Sequence, residues 1–301
     1  MTGHNHAHGH GHAGTVHRWR LRAALALTGS FFVVELAAGL WSGSLTVLSD
    51  AGHMAADTVG LVAALTASHW ATRPDTTGRR TYGHYRAEIF AAGLSVLLMV
   101  AVCGYVLVSA VQRLGSPVEV PAGVMLVVGV LGLAVNLVAL LLLRGGSEEN
   151  LNVKGAYLEV LADALGSLGV LLAGLATWLT GWLLWDPILA VALAGFVGVR
   201  AALLGREVLG VLGQSAPAGI DPALARDRLA AVPGVLEVHD LHLWTLTSGM
   251  NVATAHLVTG DADPAAVLID ASAVMRDEFG IDHATLQVEP AGSGACQGTE
   301  W

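Results

Sequence analysis

The stretch Ser49-Asp50-Ala51-Gly52-His53-Met54-Ala55-Ala56-Asp57 places three ionisable side chains inside an apolar run that extends from Ser44 to Trp70. In a helix, His53 and Asp57 are four residues apart and project from one face, with Asp50 on nearly the same stripe. A carboxylate at membrane depth costs at least ~2.5 kcal/mol, so such groups usually face a cavity or a partner. The spacing therefore predicts metal ligands or a proton relay.

A second pair with the same spacing, Glu159 and Asp163, lies in the apolar run from Val153 to Leu179. Two helices that each offer two ligands at one depth could close a four-coordinate site for a divalent cation. The alternative is that each pair makes only hydrogen bonds between helices. We favour the metal site, because four such groups without a cation or protons would leave uncompensated negative charge.

The composition is that of an integral membrane protein. The 301 residues are 54% hydrophobic and only 13% charged, and the mean hydropathy is +0.61, which is too apolar for an ordinary soluble domain. Runs long enough to cross about 30 Å of hydrocarbon as helices number six. They are Leu21 to Leu40, Ser44 to Trp70, Arg86 to Arg113, Pro121 to Leu143, Val153 to Leu179 and Pro187 to Val211.

The basic residues predict the orientation. They concentrate before the first run, after the second, after the fourth and at the end of the sixth, whereas the links 41–43 and 180–186 contain none. Because cytoplasmic loops are enriched in Lys and Arg, both termini are predicted to be cytoplasmic, in a multi-pass protein of the cell membrane. The N-terminus has no pattern of a removable signal peptide.

The formal charge of −9 is unevenly distributed. Residues 1–213 contain 12 basic and 12 acidic residues, whereas residues 214–301 contain 3 basic and 12 acidic ones. Nucleic acid is not an expected partner, because it requires a basic surface. The acidic segment either gathers cations or is the ordinary solvated surface of a soluble domain. Cys103 in an apolar run and Cys296 in a Gly/Ser tail predict no disulfide.

Residues 1–17 form a histidine-rich segment interspersed with Gly and Ala. Such a segment cannot build a core and is predicted to be disordered, yet its imidazoles can bind transition metals. An expression tag or an inert tail is the alternative interpretation.

Other polar residues carry narrower predictions. Glu35 either lines a cation path or pairs with a neighbouring helix, and Asn136 is expected to make an interhelical hydrogen bond. Asp186 before Pro187 predicts the N-cap of the sixth helix. At the end of the second run and in the loop after it, three residues could form a second metal site, although we prefer to interpret them as ordinary loop and interface groups. They are His69, Asp75 and His84.

Residues 213–290 predict a small cytosolic α+β domain, followed by a flexible tail at 291–301. Asp221-Pro222 opens a helix to Val232, and Asp263-Pro264 opens another to Phe279. Strands are predicted at Val235–Leu246, Asn251–Thr259 and Ala284–Val288, which gives the order helix, two strands, helix, strand.

Histidines in this acidic domain are candidate metal ligands. Isolated strand histidines are often ordinary surface or core residues, so the two interpretations are evenly balanced. The candidates are His239, Asp240, His256 and Glu289, with His242 and His283 as weaker ones.

From the first helix to Pro290 the chain resembles the cation diffusion facilitator family of divalent metal transporters. The resemblance is carried by Gly43-Ser44-Leu45 with Leu48 to Met54 and Asp57, by Tyr82-Gly83 with Arg86 to Ile89, by Gly155 to Leu158 with Asp163 to Ser167, and by Val238 to Trp244. It implies six membrane helices, a cytosolic ferredoxin-like domain, a homodimer and proton-coupled export of zinc or a similar metal from the cytoplasm. It also implies that His53 and Asp57, with the pair from the fifth helix, form the transport site.

The chain departs from the family at one of these positions. Glu159 stands where zinc-exporting members similar to it usually have histidine, so the site has one nitrogen and three carboxylates. A harder site admits manganese or iron more readily, although zinc also accepts mixed nitrogen and oxygen ligands. Zinc is therefore the first expectation, with cadmium, cobalt, iron and manganese open.

The expected function is export of a divalent cation in exchange for protons, with the metal as substrate, no cofactor, and membrane lipid as surroundings. An enzyme is not expected, because there is no HExxH pair and no nucleophile with a base. An intramembrane metalloenzyme and a membrane metal sensor without transport are the rival functions. Along the chain, Glu35, Asp50 and Asn136 favour a transport path over a sensor.

Overall fold

The computed structural model describes residues 13–71, 78–144 and 151–292. Within them, six long helices precede a segment of two short helices and three strands. The long helices are α1 (Ala13–Ser42), α2 (Leu45–Ala71), α3 (Ala87–Gly115), α4 (Ala122–Arg144), α5 (Leu151–Thr180) and α6 (Trp185–Leu212). The later elements are α7 (Pro222–Ala230), β1 (Val235–Thr247), β2 (Met250–Thr259), α8 (Pro264–Asp277) and β3 (His283–Pro290).

Each of the six apolar runs forms a helix. The largest difference from prediction is at the start of α1, which begins at Ala13 instead of Leu21. Residues 13–17 are thus helical although the sequence predicted a disordered tail there, because residues 15–20, which lead into the apolar run, contain neither proline nor glycine. The rest of the histidine-rich segment, residues 1–12, lies outside the described residues.

Five helices of the described chain are long and apolar enough to cross a membrane. They are the segments Trp19–Ser42, Ala87–Gly115, Ala122–Arg144, Val153–Thr180 and Trp185–Leu212. Helix α2 is long enough, with 27 residues, but it is not in this set. Its interior contains Asp50, His53 and Asp57, which lower its mean hydropathy. The predicted count of six spans is therefore supported for five helices and not for α2.

The chain forms two compact units. The first comprises the described residues up to Leu61 together with Ser95–Ala202, and the second comprises Val62–Leu94 together with the residues from Leu203 onward. In the first unit, α4 and α5 approach at backbone distance. A Cβ atom on Gly129 would lie 2.7 Å from the Cα atom of Leu171, and one on Gly174 would lie 2.9 Å from the Cβ atom of Met125. Small residues permit this packing in membrane helices.

Asp186 organises one end of the first unit. Its Oδ1 accepts hydrogen bonds from Ser44 Oγ at 2.6 Å and the Thr46 amide at 3.0 Å. Its Oδ2 accepts from the Leu45 amide at 2.8 Å and Arg113 Nη1 at 3.0 Å. The prediction that Asp186 caps its own helix α6 is wrong, since its carboxylate caps the first amides of α2 instead. Those amides have no partner within their own helix, and Asp186 itself lies inside α6.

The second unit contains the predicted α+β domain. Each short helix has the predicted aspartate N-cap, since Asp221 accepts from the Ala223 amide at 2.9 Å and Asp263 accepts from the Ala265 amide at 3.1 Å. The sheet order is β1-β2-β3, with β1 and β2 antiparallel and β2 and β3 parallel. Both helices pack against the sheet over an apolar core that includes Leu229, Leu257 and Met275.

Candidate functional site

The four residues predicted for the membrane site come together in the first unit. His53 and Asp57 project from one face of α2, and Glu159 and Asp163 project from α5. His53 is 2% exposed and Asp163 is 7% exposed, although both are polar residues within membrane helices. Their burial places their imidazole and carboxylate in the protein interior and away from lipid, as ionisable residues in membrane helices require.

Distances within this cluster suit a small cation. His53 Nδ1 lies 3.3 Å from Asp57 Oδ2, and His53 Nε2 lies 4.0 Å from Asp163 Oδ1. Ligand atoms of His53, Asp57 and Glu159 all lie within 4.8 Å of one another. Atoms bound about 2.1 Å from a tetrahedral zinc ion are roughly 3.4 Å apart. Small side-chain movements would therefore bring the set to coordinating distance.

Arg200 of α6 belongs to the same cluster, and sequence reasoning did not include it. Its Nη2 donates to both carboxylate oxygens of Glu159 at 2.9 Å, and its Nη1 lies 2.8 Å from His53 Nε2. The sequence predicts Arg200 to be one of the basic residues at the cytoplasmic end of the sixth helix. Its position within an apolar run, followed by the apolar residues 201–204, is the feature that could have predicted a location inside the membrane unit.

Further polar groups that are buried surround the cluster in the first unit. Asp50 is 3% exposed and Glu35 is fully buried, and the two carboxyl groups interact electrostatically. A side chain on Gly166 would collide with Asp50 Oδ1, so α5 must have glycine there. Asn136 Nδ2 donates to Ser167 Oγ at 3.2 Å, which confirms the predicted interhelical hydrogen bond.

A second cluster lies in the α+β domain. His239 of β1 is the direct cross-strand partner of His256 on β2, and Glu289 is carried by β3, the neighbour of β2 on its other side. His256 Nδ1 is 2.8 Å from Glu289 Oε1, and His239 Nε2 is 3.7 Å from Glu289 Oε2. All three ligand atoms fall within 4.8 Å of one another. Glu289 is only 5% exposed.

Asp240 extends this second cluster. It lies where the register between β1 and β2 shifts and has a positive φ of 54°, an uncommon backbone conformation for a residue other than glycine. Its Oδ2 is 3.8 Å from His256 Nε2, and its Oδ1 is 2.8 Å from His242 Nε2. His242 thus touches the cluster through Asp240. His283 begins β3 opposite Val252 and takes no part in the described cluster.

The remaining predicted sites are not assembled in the described residues. Asp75 and Cys296 lie outside them, as do residues 1–12. His69 and His84 belong to no described group of three or more potential metal ligands.

Both parts of the chain match known family sequences. The sequence model described as "Cation efflux transmembrane domain" matches residues 21–212, and the one described as "Cation efflux protein, cytoplasmic domain" matches residues 218–291. The chain is 42% identical over 273 residues to the metal cation efflux system protein CzcD of Cupriavidus metallidurans, covering 90% of this chain and 86% of that protein.

Two further relatives have comparable coverage. The zinc transporter ZitB of Escherichia coli is 37% identical over 273 residues, which cover 90% of this chain and 87% of that protein. The cadmium, cobalt and zinc/H(+)-K(+) antiporter of Bacillus velezensis is 34% identical over 297 residues, which cover 96% of this chain and 92% of that protein. The matches therefore extend over the membrane helices and the α+β domain alike.

Proposed function

The chain belongs to the cation efflux family and is a divalent metal efflux transporter, and we propose that it exports zinc first among divalent metals, in exchange for protons. The observation that supports this most is the cluster of His53, Asp57, Glu159 and Asp163 between α2 and α5, in which His53 and Asp163 are buried. No enzymatic activity is expected of a chain in this family.

The four side chains are proposed as the ligands of the transported ion. One imidazole nitrogen and three carboxylates form a mixed set that zinc accepts. The set is also hard enough for manganese or iron. The names of the relatives agree with a zinc-type substrate, since ZitB is called a zinc transporter and the Bacillus velezensis protein is named for cadmium, cobalt and zinc. Cadmium, cobalt, iron and manganese are therefore the further candidates.

Proton exchange follows from the chemistry of these ligands. A metal binds deprotonated carboxylates and a neutral imidazole, so protons and metal compete for the same groups. Binding from the cytoplasm, followed by exposure to the more acidic side, would replace the ion with protons. Return of the protonated site would complete the cycle.

We further propose six membrane spans, cytoplasmic termini, and a ferredoxin-like cytoplasmic domain through which two copies pair. Helix α2 is the sixth span, because its 27 residues are long enough to cross the membrane and its ionisable side chains His53 and Asp57 face the cluster. The element order of the second unit matches the last five elements of a ferredoxin-like fold. The scarcity of Lys and Arg in the links 41–43 and 180–186 supports the orientation.

The second cluster is proposed as a regulatory metal site. His239, Asp240, His256 and Glu289 would bind a divalent ion, and the ion would offset repulsion between two acidic domains and favour a compact dimer. The supporting observation is the set of ligand atoms of His239, His256 and Glu289 within 4.8 Å of one another.

Transport by everted vesicles tests the proposal for the membrane site. Uptake of zinc, cadmium, cobalt, iron and manganese would be compared for the native protein, Asp163→Ala and Glu159→His. We expect Asp163→Ala to lose more than about tenfold in rate, because even outer-shell partners of a metal contribute that much. Glu159→His should shift preference toward zinc, since imidazole is the softer ligand.

The matched control is Asp270→Ala, which removes an exposed aspartate of α8 and should leave uptake unchanged. Stoichiometric binding without turnover in the native protein would refute transport and indicate a sensor. Uptake of metal that moves no protons in the opposite direction would refute the exchange.

A further inference from the structure

Arg200 has the strongest contacts in the membrane cluster. Its two Nη atoms reach three of the four predicted ligands: Nη2 is 2.9 Å from both oxygens of Glu159, and Nη1 is 2.8 Å from His53 Nε2 and 3.7 Å from Asp57 Oδ2. The side chain is 28% exposed and that of Glu159 is 40% exposed. Both hydrogen bonds to Glu159 come from one nitrogen, Nη2, which leaves Nη1 for His53. Hydrogen bonds between ionised groups are about twice as strong as those between neutral ones.

The charges of the cluster show what this contact does. Asp57, Glu159 and Asp163 carry three formal negative charges, and Arg200 adds one positive charge. These four side chains therefore carry two formal negative charges, which matches a divalent cation. The neighbouring carboxyl groups of Asp50 and Glu35 are outside this count and are the same in every variant compared below. Without Arg200 the same ligands would carry three, and uncompensated charge in a membrane helix is costly.

The contact with His53 adds a second consequence. Arginine has only donors, so the 2.8 Å approach requires His53 Nε2 to accept. The proton of the neutral ring then lies on Nδ1, which faces Asp57 Oδ2 at 3.3 Å. Nε2 also lies 4.0 Å from Asp163 Oδ1, so its lone pair is the one that a metal bound between His53 and Asp163 would use. An ion that binds there must displace Nη1 of Arg200.

On the basis of the transport function proposed above, we propose that Arg200 sets the charge and specificity of the transport site by neutralising Glu159 and by competing with the metal for His53. The metal then meets two uncompensated carboxylates, Asp57 and Asp163, and the displaced guanidinium stays on Glu159. The role of Glu159 in metal binding thus depends on Arg200, and a variant that lacks only one of the two residues is expected to be impaired in transport.

This role differs from that of a structural salt bridge in the sign of the single-variant effects. A structural bridge also predicts recovery when both members are removed, because removing one leaves the other unpaired, but it predicts the same kind of damage from either single variant. A charge-setting pair predicts opposite shifts in metal affinity, tighter without Arg200 and weaker without Glu159. Removing both members of a charge-setting pair restores the net charge of −2. The double variant must therefore resemble the native protein more than either single variant does.

The test uses full-length protein in proteoliposomes with zinc as the probe. Four variants are compared: Arg200→Met, Glu159→Gln, the double variant and Arg206→Met. Arg200→Met leaves three negative charges, so we expect KM to stay or fall while the maximal rate falls about 10- to 100-fold through slow release. Glu159→Gln leaves one negative charge, so KM should rise by about the same factor.

The double variant should recover part of the loss in both KM and maximal rate, because close charge pairs couple in a non-additive way. Full recovery is not expected, since Glu159→Gln also replaces a carboxylate ligand by a weaker amide. A double variant as impaired as the worse single variant overturns the proposal. Arg206→Met, the same substitution at an exposed position of α6, should change neither parameter, and it controls for general damage to that helix.

A binding measurement separates failure of this proposal from failure of the transport function. Equilibrium binding of Co²⁺ to the purified full-length protein would be measured in a His256→Ala background, which disables the second cluster. From highest to lowest affinity we expect Arg200→Met, the native protein, the double variant and Glu159→Gln. If the native protein transports no ion but this order holds, only the transport function is refuted. If the order fails, the role of Arg200 is refuted.

Discussion

Substitution of Asp186 by asparagine should destabilise the membrane unit severely, although it changes only one atom of the side chain. Each oxygen of Asp186 accepts two hydrogen bonds, and the residue is 1% exposed. Asparagine replaces one oxygen by an NH2 group, which is a donor. At the Oδ2 position that group faces the Leu45 amide and Arg113 Nη1, and two donors lose their acceptor. At the Oδ1 position it faces Ser44 and Thr46, and only the Thr46 amide loses its acceptor, because the Ser44 hydroxyl can accept.

The expected magnitude follows from the donors that lose their acceptor. Hydrogen bonds to a charged group contribute about 1.5–3 kcal/mol each, so the loss of one or two of them corresponds to about 1.5–6 kcal/mol. Arg113 also loses its buried counter-charge, since its side chain is 15% exposed and its Nη1 lies 3.0 Å from Asp186 Oδ2. For a unit of this size we expect the melting temperature in detergent to fall by on the order of 10 °C.

The assay is thermal unfolding of the purified protein followed by tryptophan fluorescence. Asp221→Asn is the matched control, because Asp221 is an exposed N-cap and asparagine caps helices about as well as aspartate. Adding Arg113→Met to Asp186→Asn should recover part of the loss, since it removes one stranded donor. A melting temperature of Asp186→Asn within about 2 °C of the native value would refute this reasoning.

Three other outcomes are expected. Gly166→Ala should cost about 1–3 kcal/mol of stability by overpacking and should reduce zinc uptake. Gly155→Ala, on the same helix with open space around it, should do neither. Equal effects of the two substitutions would contradict the close approach at Gly166. His256→Ala should remove one zinc per chain from the full-length protein by equilibrium dialysis, and His283→Ala should not; retention of that zinc by the first variant would exclude the proposed ligand set. Lowering the pH from 7.5 to 5.5 should weaken zinc binding to the full-length protein, because protons compete for carboxylate and imidazole ligands, and calorimetric titration showing no such dependence would refute the competition.

Patterns that act along a short stretch of chain predicted most of the fold. Apolar runs predicted the six long helices, and the proline after Asp221 and Asp263 predicted two helix starts. The spacing of His53 and Asp57 predicted two side chains on one face, because helix geometry fixes that relation locally. The sequence also predicted that His239 and His256 lie on consecutive strands. The observed register of β1 and β2 pairs the two residues directly.

Contacts between distant segments were not predictable in this way. Asp186 has the local pattern of an N-cap, yet its carboxylate reaches amides about 140 residues earlier in the chain. The sequence predicts Arg200 to be a cytoplasmic positive charge. An arginine near the end of a membrane helix gives that prediction whether its side chain faces the cytoplasm or the interior of the protein. Only the packing of α6 beside α2 and α5 brings its guanidinium to His53 and Glu159. The start of α1 was not predictable, because the helix continues towards the N-terminus from the apolar run and no residue pattern in the sequence marks where it begins.

The glycine contacts between α4 and α5 bear on how such a protein could move. Where the Cα atom of Leu171 would lie 2.7 Å from a Cβ atom on Gly129, no layer of side chains separates the two backbones. A layer of that kind is what allows neighbouring helices to slide, since side chains change rotamer more easily than backbones change path. We therefore expect α4 and α5 to shift as a single rod that carries Glu159 and Asp163. The alternation between the two faces of the membrane would then be a change in the distance from that rod to α2.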